Sequence, residues 1–210
     1  MSITTEPEGG RRAATKAANR AAILEAARAV FSEQGYGGAT VRDVIRRTDL
    51  ASGTFYNYFP DKESLFRAVL EQTAENVRAR VQAARREAGS LEEFVAGGYR
   101  EYFGFLASDP EAFELMRRNS GTIRTMFDEP VFGAGVEELA SDLRTAMRFG
   151  IVPDLDPDYM AAAMVGAALE VGVAMVRRDP PDVEGATRFA TQVFLGGIER
   201  LGAPPTPPGR

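Results

Sequence analysis

The stretch Ser52-Gly53-Thr54-Phe55-Tyr56-Asn57-Tyr58-Phe59, closed by Pro60-Asp61, decides how the 210-residue chain folds. Phe55 and Phe59 are four residues apart, so on a two-turn helix they share one side. Ser52, Gly53, Thr54, Tyr56, Asn57 and Tyr58 are then left for the other side, and all but the glycine carry hydrogen-bonding side chains. Pro60 cannot continue the helix, and Asp61 is placed to cap the next one.

Working outward, Thr40-Val41-Arg42-Asp43 has the form of a capping box, with a hydroxyl at the cap and a carboxylate three residues on. It opens a short helix with Val41, Val44 and Ile45 inward, ending near Thr48, and Asp49-Leu50-Ala51 is a tight connection. Ahead of it, Ile23, Ala27, Val30 and Phe31 give one buried face to a helix from about Thr15 to Gln34. Gly35 stands where a left-handed C-cap is wanted, and Gly37-Gly38 continue the turn. Behind it, Leu65, Phe66, Val69 and Leu70 give the next helix its apolar face. Two short helices joined by a tight turn and held between longer ones predict a helix-turn-helix, in which the second short helix enters the DNA major groove.

The rest of the chain also reads as helix, with no alternating strand pattern. The helix after Asp61 runs to about Ala88 and stops at Gly89. Ser90-Leu91-Glu92-Glu93 is a second capping box, opening a helix to about Ala107, and Asp109-Pro110-Glu111 starts another. Ser120 to Pro130 is less regular. A long helix to about Phe149 follows, then a loop from Gly150 to Leu155. Asp156-Pro157 opens an apolar helix to about Arg178, and Val183 to Leu201 is the last. The expected fold is all-α with about nine helices. Residues 1–10 form a disordered arm, 11–70 a three-helix DNA-binding domain with its helix-turn-helix core at 40–59, 71–201 a helical ligand-binding and dimerisation domain, and 202–210 a disordered tail.

Composition narrows the function. Cysteine and histidine are both absent. No disulfide, thiolate zinc site or cysteine nucleophile is available, and the commonest general base and transition-metal ligand are missing too. No enzyme activity and no cofactor are expected. An enzyme on a helical bundle is the weak alternative, and a di-iron site there would need histidines the chain lacks. A helical interaction protein that does not bind DNA is the other. The net charge of −5 is unevenly spread. Residues 11–62 hold nine Lys/Arg against five acids, a balance of +4, and the remainder is −9. A basic module on an acidic body suits a nucleic-acid partner. Residues 1–12 have no apolar core of a secretory signal, and the apolar run Met160–Val176 carries Glu170 in its middle. A buried helix, no membrane partner and a cytoplasmic location are expected.

Residues 15–70 resemble the DNA-binding domain of TetR-family regulators. The likeness rests on Ile23-Leu24-Glu25-Ala26-Ala27, Phe31-Ser32-Glu33-Gln34-Gly35-Tyr36, Thr40-Val41-Arg42-Asp43-Val44 and Ser52 through Leu65. The resemblance implies that Thr40 gives its hydroxyl or backbone N–H to a phosphate, and that Arg42 approaches a phosphate or a base edge. Ser52, Gly53 and Thr54 open the recognition helix, Gly53 allowing close approach. Tyr56 matches a tyrosine whose hydroxyl bonds phosphate, and Asn57 suits adenine through N6 and N7. Tyr58 stands where the family often has histidine. Lys62 matches a phosphate-binding lysine, and Arg11, Arg12 and Lys16 are candidates for a mobile arm reaching phosphates or the minor groove.

One such module buries too little DNA for useful specificity, so a homodimer on a double-stranded operator is expected. Ala161, Ala162, Ala163, Gly166, Ala167, Ala168 and Gly172 allow close helix approach, and Phe189, Val193, Phe194 and Ile198 supply a bulky stripe. Tyr99, Tyr102, Phe103, Leu106, Phe113, Met116, Arg117, Phe127, Met147 and Met164 are candidates to line a pocket for a small hydrophobic ligand. The segment from Asp109 to Gly121 is similar to one in TetR-type repressors of fatty-acid synthesis. That likeness implies a fatty acid or acyl-CoA as effector, with Arg117, Arg118 or Arg124 at its head group, and a repressor that the ligand releases.

Overall fold

The computed structural model describes residues 8–125 and 130–202, and every regular element among them is a helix. In chain order these are α1 (Glu8–Gly38), α2 (Val41–Ile45), α3 (Ser52–Tyr56), α4 (Lys62–Glu87), α5 (Leu91–Ser108), α6 (Pro110–Arg118), α7 (Ser120–Arg124), α8 (Pro130–Arg148), α9 (Pro157–Val176) and α10 (Val183–Gly202). The short α7 lies in the stretch that reads as irregular in sequence.

The chain separates into two compact units. One comprises the residues up to Thr73 together with Glu111–Ile123, and the other Ala74–Pro110 together with the residues from Arg124 onward. The division falls inside α4, three residues beyond the expected boundary at 70/71. It also returns a segment from the middle of the sequence to the first unit.

The first unit is built around aromatic rings. Ile23, Ala27, Val30 and Phe31 of α1, Val44 of α2, Phe55 of α3, and Leu65, Phe66 and Val69 of α4 are all buried. Phe31 meets Phe66 edge-on at 4.9 Å between centroids, and Tyr36 lies 4.8 Å from the same ring. Ala112, Phe113 and Leu115 of α6 are buried as well. At Gly35 the backbone leaves the helix with φ 72°, a conformation glycine adopts without steric cost, and this bends the end of α1. The arm expected to be disordered over 1–10 is helical from Glu8, because the alanine-rich sequence that follows has high helix propensity. Residues 1–7 and 203–210 lie outside the described residues, while Gly202, placed in the expected tail, ends α10.

In the second unit α10 packs on α5 and α9, and α9 packs on α5 and α8. Val95, Phe103, Leu106, Leu139, Leu143, Met164 and Ile198 are among its buried residues. The Tyr99 hydroxyl donates to the Met164 carbonyl at 3.2 Å, and its ring stacks on Phe103 at 5.7 Å. Burial pushes the Tyr99 and Tyr102 phenols well above their ordinary range. α9 can approach α5 closely because position 172 is glycine: a Cβ there would lie 2.6 Å from Leu106 Cδ1. α9 is also long and apolar enough to cross a membrane by length and composition, with 28% of its most apolar window buried.

Candidate nucleic-acid interface

The α2–α3 pair is held from inside and open outside. Thr40 caps α2 as its sequence predicts: its hydroxyl accepts from the Asp43 N–H at 3.3 Å, and its own N–H donates to the Asp43 carboxylate at 3.0 Å. The Thr40 hydroxyl also donates to that carboxylate. These bonds, the hydroxyl's foremost, hold the Asp43 carboxyl below its usual range. Both donors that the family resemblance offers to a phosphate are therefore occupied by Asp43. Beyond Ile45 the chain turns through Arg47 N–H to Val44 and Thr48 N–H to Ile45, each at 3.0 Å, and the Thr48 hydroxyl caps the same Ile45 carbonyl.

α3 is regular from Ser52 to Tyr56, shorter than the two turns that the sequence suggests. Its hydrogen bonding nonetheless runs on: Tyr58 N–H and Phe59 N–H both donate to the Phe55 carbonyl, at 2.9 and 3.2 Å. The inward pair behaves as the spacing predicts, with Phe55 1% and Phe59 5% exposed. Ser52, Gly53, Tyr56 and Asn57 are exposed, with Tyr56 at 56%, and Thr54 and Tyr58 are half-buried. Nothing lies within 4 Å of a Cβ built on Gly53. Arg42 on α2 is also exposed. Ser52, Gly53, Tyr56 and Asn57 thus stand open above two buried rings, with Thr54 and Tyr58 partly covered, and the set carries hydroxyl and amide groups and no carboxylate.

Lys62 does more than its sequence position suggests. Its ammonium donates to the Tyr36 carbonyl at 2.7 Å and to the Ala39 carbonyl at 3.0 Å, and sits 4.3 Å from the centre of the Tyr36 ring. It ties the start of α4 to the end of α1, and of its three N–H donors one is left over. The Asp61 carboxylate caps α4 by accepting from Ser64 N–H at 2.7 Å, which holds its pKa down. Arg47 is committed to Glu33 through both of its terminal nitrogens.

Asn119, between α6 and α7, went unnoticed in the sequence. It is 2% exposed and satisfies three backbone groups at once. Its carbonyl accepts from Tyr36 N–H at 2.6 Å, and its amide donates to Leu115 at 2.7 Å and Phe31 at 3.3 Å. An asparagine after a run of arginines reads as an ordinary helix terminus, so only the long-range packing reveals it.

The candidate pocket residues are divided. Phe113, Met116 and Arg117 belong to the first unit; Phe113 is buried, Met116 half-buried, and Arg117 exposed with its guanidinium on Glu114. Tyr99, Phe103, Leu106 and Met164 are buried in the second unit, and Tyr102 is half-buried beside Phe103. Met147 lines a cavity of about 610 Å³ with Arg144, Arg148, Leu155 and Pro157. Phe127 lies outside the described residues. A second cavity, of about 360 Å³, is bordered by Gln82, Arg85, Arg86, Phe94, Glu138 and Asp142. Both are open hollows lined by charged as well as apolar side chains. Among the described residues no group of three or more His, Cys, Asp or Glu is arranged to hold a metal ion.

Residues 23–69, which contain this open face, match the family model for the bacterial regulatory proteins of the tetR family. The HTH-type transcriptional repressor AcnR of Corynebacterium glutamicum is 32% identical over 184 residues, which is 87% of this chain and 81% of that protein. The chain belongs to the TetR family. It is therefore a transcriptional regulator with an N-terminal helix-turn-helix, and not an enzyme. Within the family, the HTH-type transcriptional activator FasR of Mycolicibacterium smegmatis is 26% identical over 205 residues, 93% of this chain and 91% of that one. Among solved structures, the transcriptional regulator FadR from Bacillus subtilis in complex with stearoyl-CoA shares the fold. Its TM-score is 0.73 at 22% identity, covering 84% of this chain and 98% of the other.

Proposed function

We propose that this TetR-family regulator is a cytoplasmic repressor that binds a palindromic operator as a homodimer and is released by a small hydrophobic effector. The observation that carries the DNA reading is the open face of α3, raised on the buried rings of Phe55 and Phe59. A helix this short exposes its outer face along its whole length to the floor of a major groove. Ser52, Gly53 and Thr54 enter first. Asn57 reads a base edge, its amide matching the N6 donor and N7 acceptor of adenine. Tyr56 and Tyr58 hydroxyls, Arg42 and the remaining Lys62 N–H hold phosphates and set the register. Thr40 contributes mainly by capping α2, since Asp43 holds its donors.

The partner subunit docks on α9 and α10. Phe189 and Val193, one turn apart on α10, are 60% and 51% exposed, and Ala162, Gly166 and Leu169 are exposed on α9. Small residues on one helix beside bulky ones on the other suit close packing against a second copy. A fatty acid or acyl-CoA is the effector class, supported by the Asp109–Gly121 likeness and by the FadR relative seen with stearoyl-CoA. α4 contributes residues to both units and is the element through which ligand alters DNA affinity.

Enrichment of a random duplex pool on the full chain tests this reading. Inverted repeats are expected, their half-sites spaced by a helical turn or a multiple of it. Asn57→Ala is expected to relax preference at one base pair per half-site, by about 1–3 kcal/mol. Tyr56→Phe is expected to weaken every sequence alike. Long-chain acyl-CoA is expected to lower affinity for the enriched duplex by roughly 5- to 150-fold. Enrichment of no sequence would overturn the DNA reading. Release by unrelated hydrophobic drugs alone would overturn the acyl effector.

A further inference from the structure

The guanidinium of Arg85 pairs with no acid among the described residues. Arg85 stands near the end of α4, half-buried, with its Nε sealed from solvent and without a hydrogen-bond acceptor. Among the described residues it forms no hydrogen bond and no ion pair. An arginine ordinarily buries its carbon stem and leaves the charged head in water. Here the head is laid against α5. A Cβ built on Gly98 would lie 3.3 Å from Arg85 Nε, and one on Gly97 would lie 3.4 Å from Ala84 Cβ. Two glycines in succession thus let the helices close until the guanidinium rests on α5. Phe94, one turn earlier on α5, holds its ring centre 5.3 Å from the guanidinium carbon. Burial holds the Arg85 pKa below the ordinary guanidinium value, with Asp142 acting against the shift. A sealed, unpaired guanidinium nitrogen is a cost to the folded chain, and it calls for a function.

The same side chain borders the cavity of about 360 Å³ in the second unit. Four charges surround that space, Arg85 and Arg86 from α4 and Glu138 and Asp142 from α8. They cancel. Glu138 is already engaged, 3.7 Å from Arg78. Asp142, like Arg85, has no ion pair among the described residues. The two therefore share one cavity without pairing. A polyanion drawn to the arginines would meet Glu138 and Asp142, and a simple cation would meet Arg85 and Arg86. A molecule bearing one charge of each sign avoids both penalties.

We propose that this cavity binds a small zwitterion of the amino-acid class, with its carboxylate on the Arg85 guanidinium and its ammonium on Asp142. The planar guanidinium suits a carboxylate, which can accept two parallel N–H bonds from it. The Phe94 ring gives the carbon skeleton an apolar wall, and the Gln82 amide gives a polar substituent a partner. The site is separate from that of the acyl effector and does not depend on it, since the phosphates of CoA are the kind of polyanion that its acids disfavour.

Isothermal titration calorimetry of the full chain with each of the common L-amino acids tests this. For the tightest, two analogues follow: the amine lacking the carboxylate and the acid lacking the ammonium. Both should bind roughly tenfold or more weakly than the parent. Arg85→Met keeps an unbranched stem beside Phe94 and should abolish the advantage of the amino acid over the amine. Asp142→Asn should abolish its advantage over the acid. Each variant thus removes selectivity for one charge and spares the other, which a merely structural role would not do. Asp142 is exposed, so its variant tests the site even where Arg85→Met does not fold. No binding of any amino acid at millimolar concentration would overturn the proposal. So would an analogue that binds as tightly as its parent, or selectivity left unchanged in a folded variant.

Discussion

Asn119 shows how much one buried amide can organise. Its carbonyl accepts from the Tyr36 N–H just past the bend at Gly35, one amide bond to the Phe31 carbonyl ties it again to α1, and the other closes the end of α6 on the Leu115 carbonyl. Asn119→Ala would leave that N–H buried and unpaired, a loss of about 1–3 kcal/mol, read as a lower urea midpoint. A midpoint equal to wild type would show that water replaces the amide without loss. Four carboxylates of the first unit have lowered pKa values. Glu33 is held down by Arg47, Asp43 by the Thr40 hydroxyl, Asp61 by the Ser64 N–H and Glu114 by Arg117. Because the folded values lie below the unfolded ones, the unfolded chain takes up protons first as pH falls. Their stabilisation is complete above the ordinary carboxylate range, near pH 4–5, and is lost as pH falls through the lowered values. Urea melts at pH 6 and pH 3.5 should show the loss, and Asp43→Asn should reduce it. The Thr40–Asp43 box and the Asp61 cap were legible because they bond across three residues of sequence. Asn119 and the second role of Lys62 were not, because their partners lie 83 and 26 residues away.

At the level of elements, periodicity and caps placed most helices. Ser90 caps α5 by accepting from Glu93 N–H at 3.1 Å, and Asp156 caps α9 by accepting from Asp158 and Tyr159 N–H at 2.9 and 3.0 Å. The start of α1 was misplaced because the hydrophobic pattern begins only near Ile23, whereas alanine propensity extends the helix back to Glu8 without any burial. α3 ended early for a related reason. Local hydrogen bonding persists to Phe59 as turns, and sequence spacing alone does not separate turns from a regular helix. The stripe on α10 was legible as bulky, but its direction was not. Phe189 and Val193 face outward, while Ile198 of the same stripe is buried. A Phe189→Glu/Val193→Glu variant should therefore fold and sediment as a monomer, because the charges fall only on exposed positions. A variant that stays dimeric would move the subunit contact elsewhere.

For the molecule as a whole, charge partition was informative. The +4 segment at 11–62, in a chain whose net charge is −5, is well equipped for a polyanion. The ligand site was the least legible part. Aromatic and methionine residues between 94 and 164 compose a buried core as readily as a pocket, and Tyr99, Phe103, Leu106 and Met164 are packed among themselves and their neighbours. Only burial separates the two, and the sequence does not contain it. DNA recognition depends least on such ambiguity, since the outward set on α3 is defined by its complement, Phe55 and Phe59. Dimethyl sulfate protection on the enriched duplex tests it most directly, because guanine N7 lies on the major-groove edge and adenine N3 on the minor-groove edge. Bound protein should shield N7 in two patches spaced by whole helical turns, and Asn57→Ala with Tyr56→Phe should weaken both. Shielding limited to adenine N3, or an N7 pattern untouched by those substitutions, would contradict a recognition helix at Ser52–Phe59.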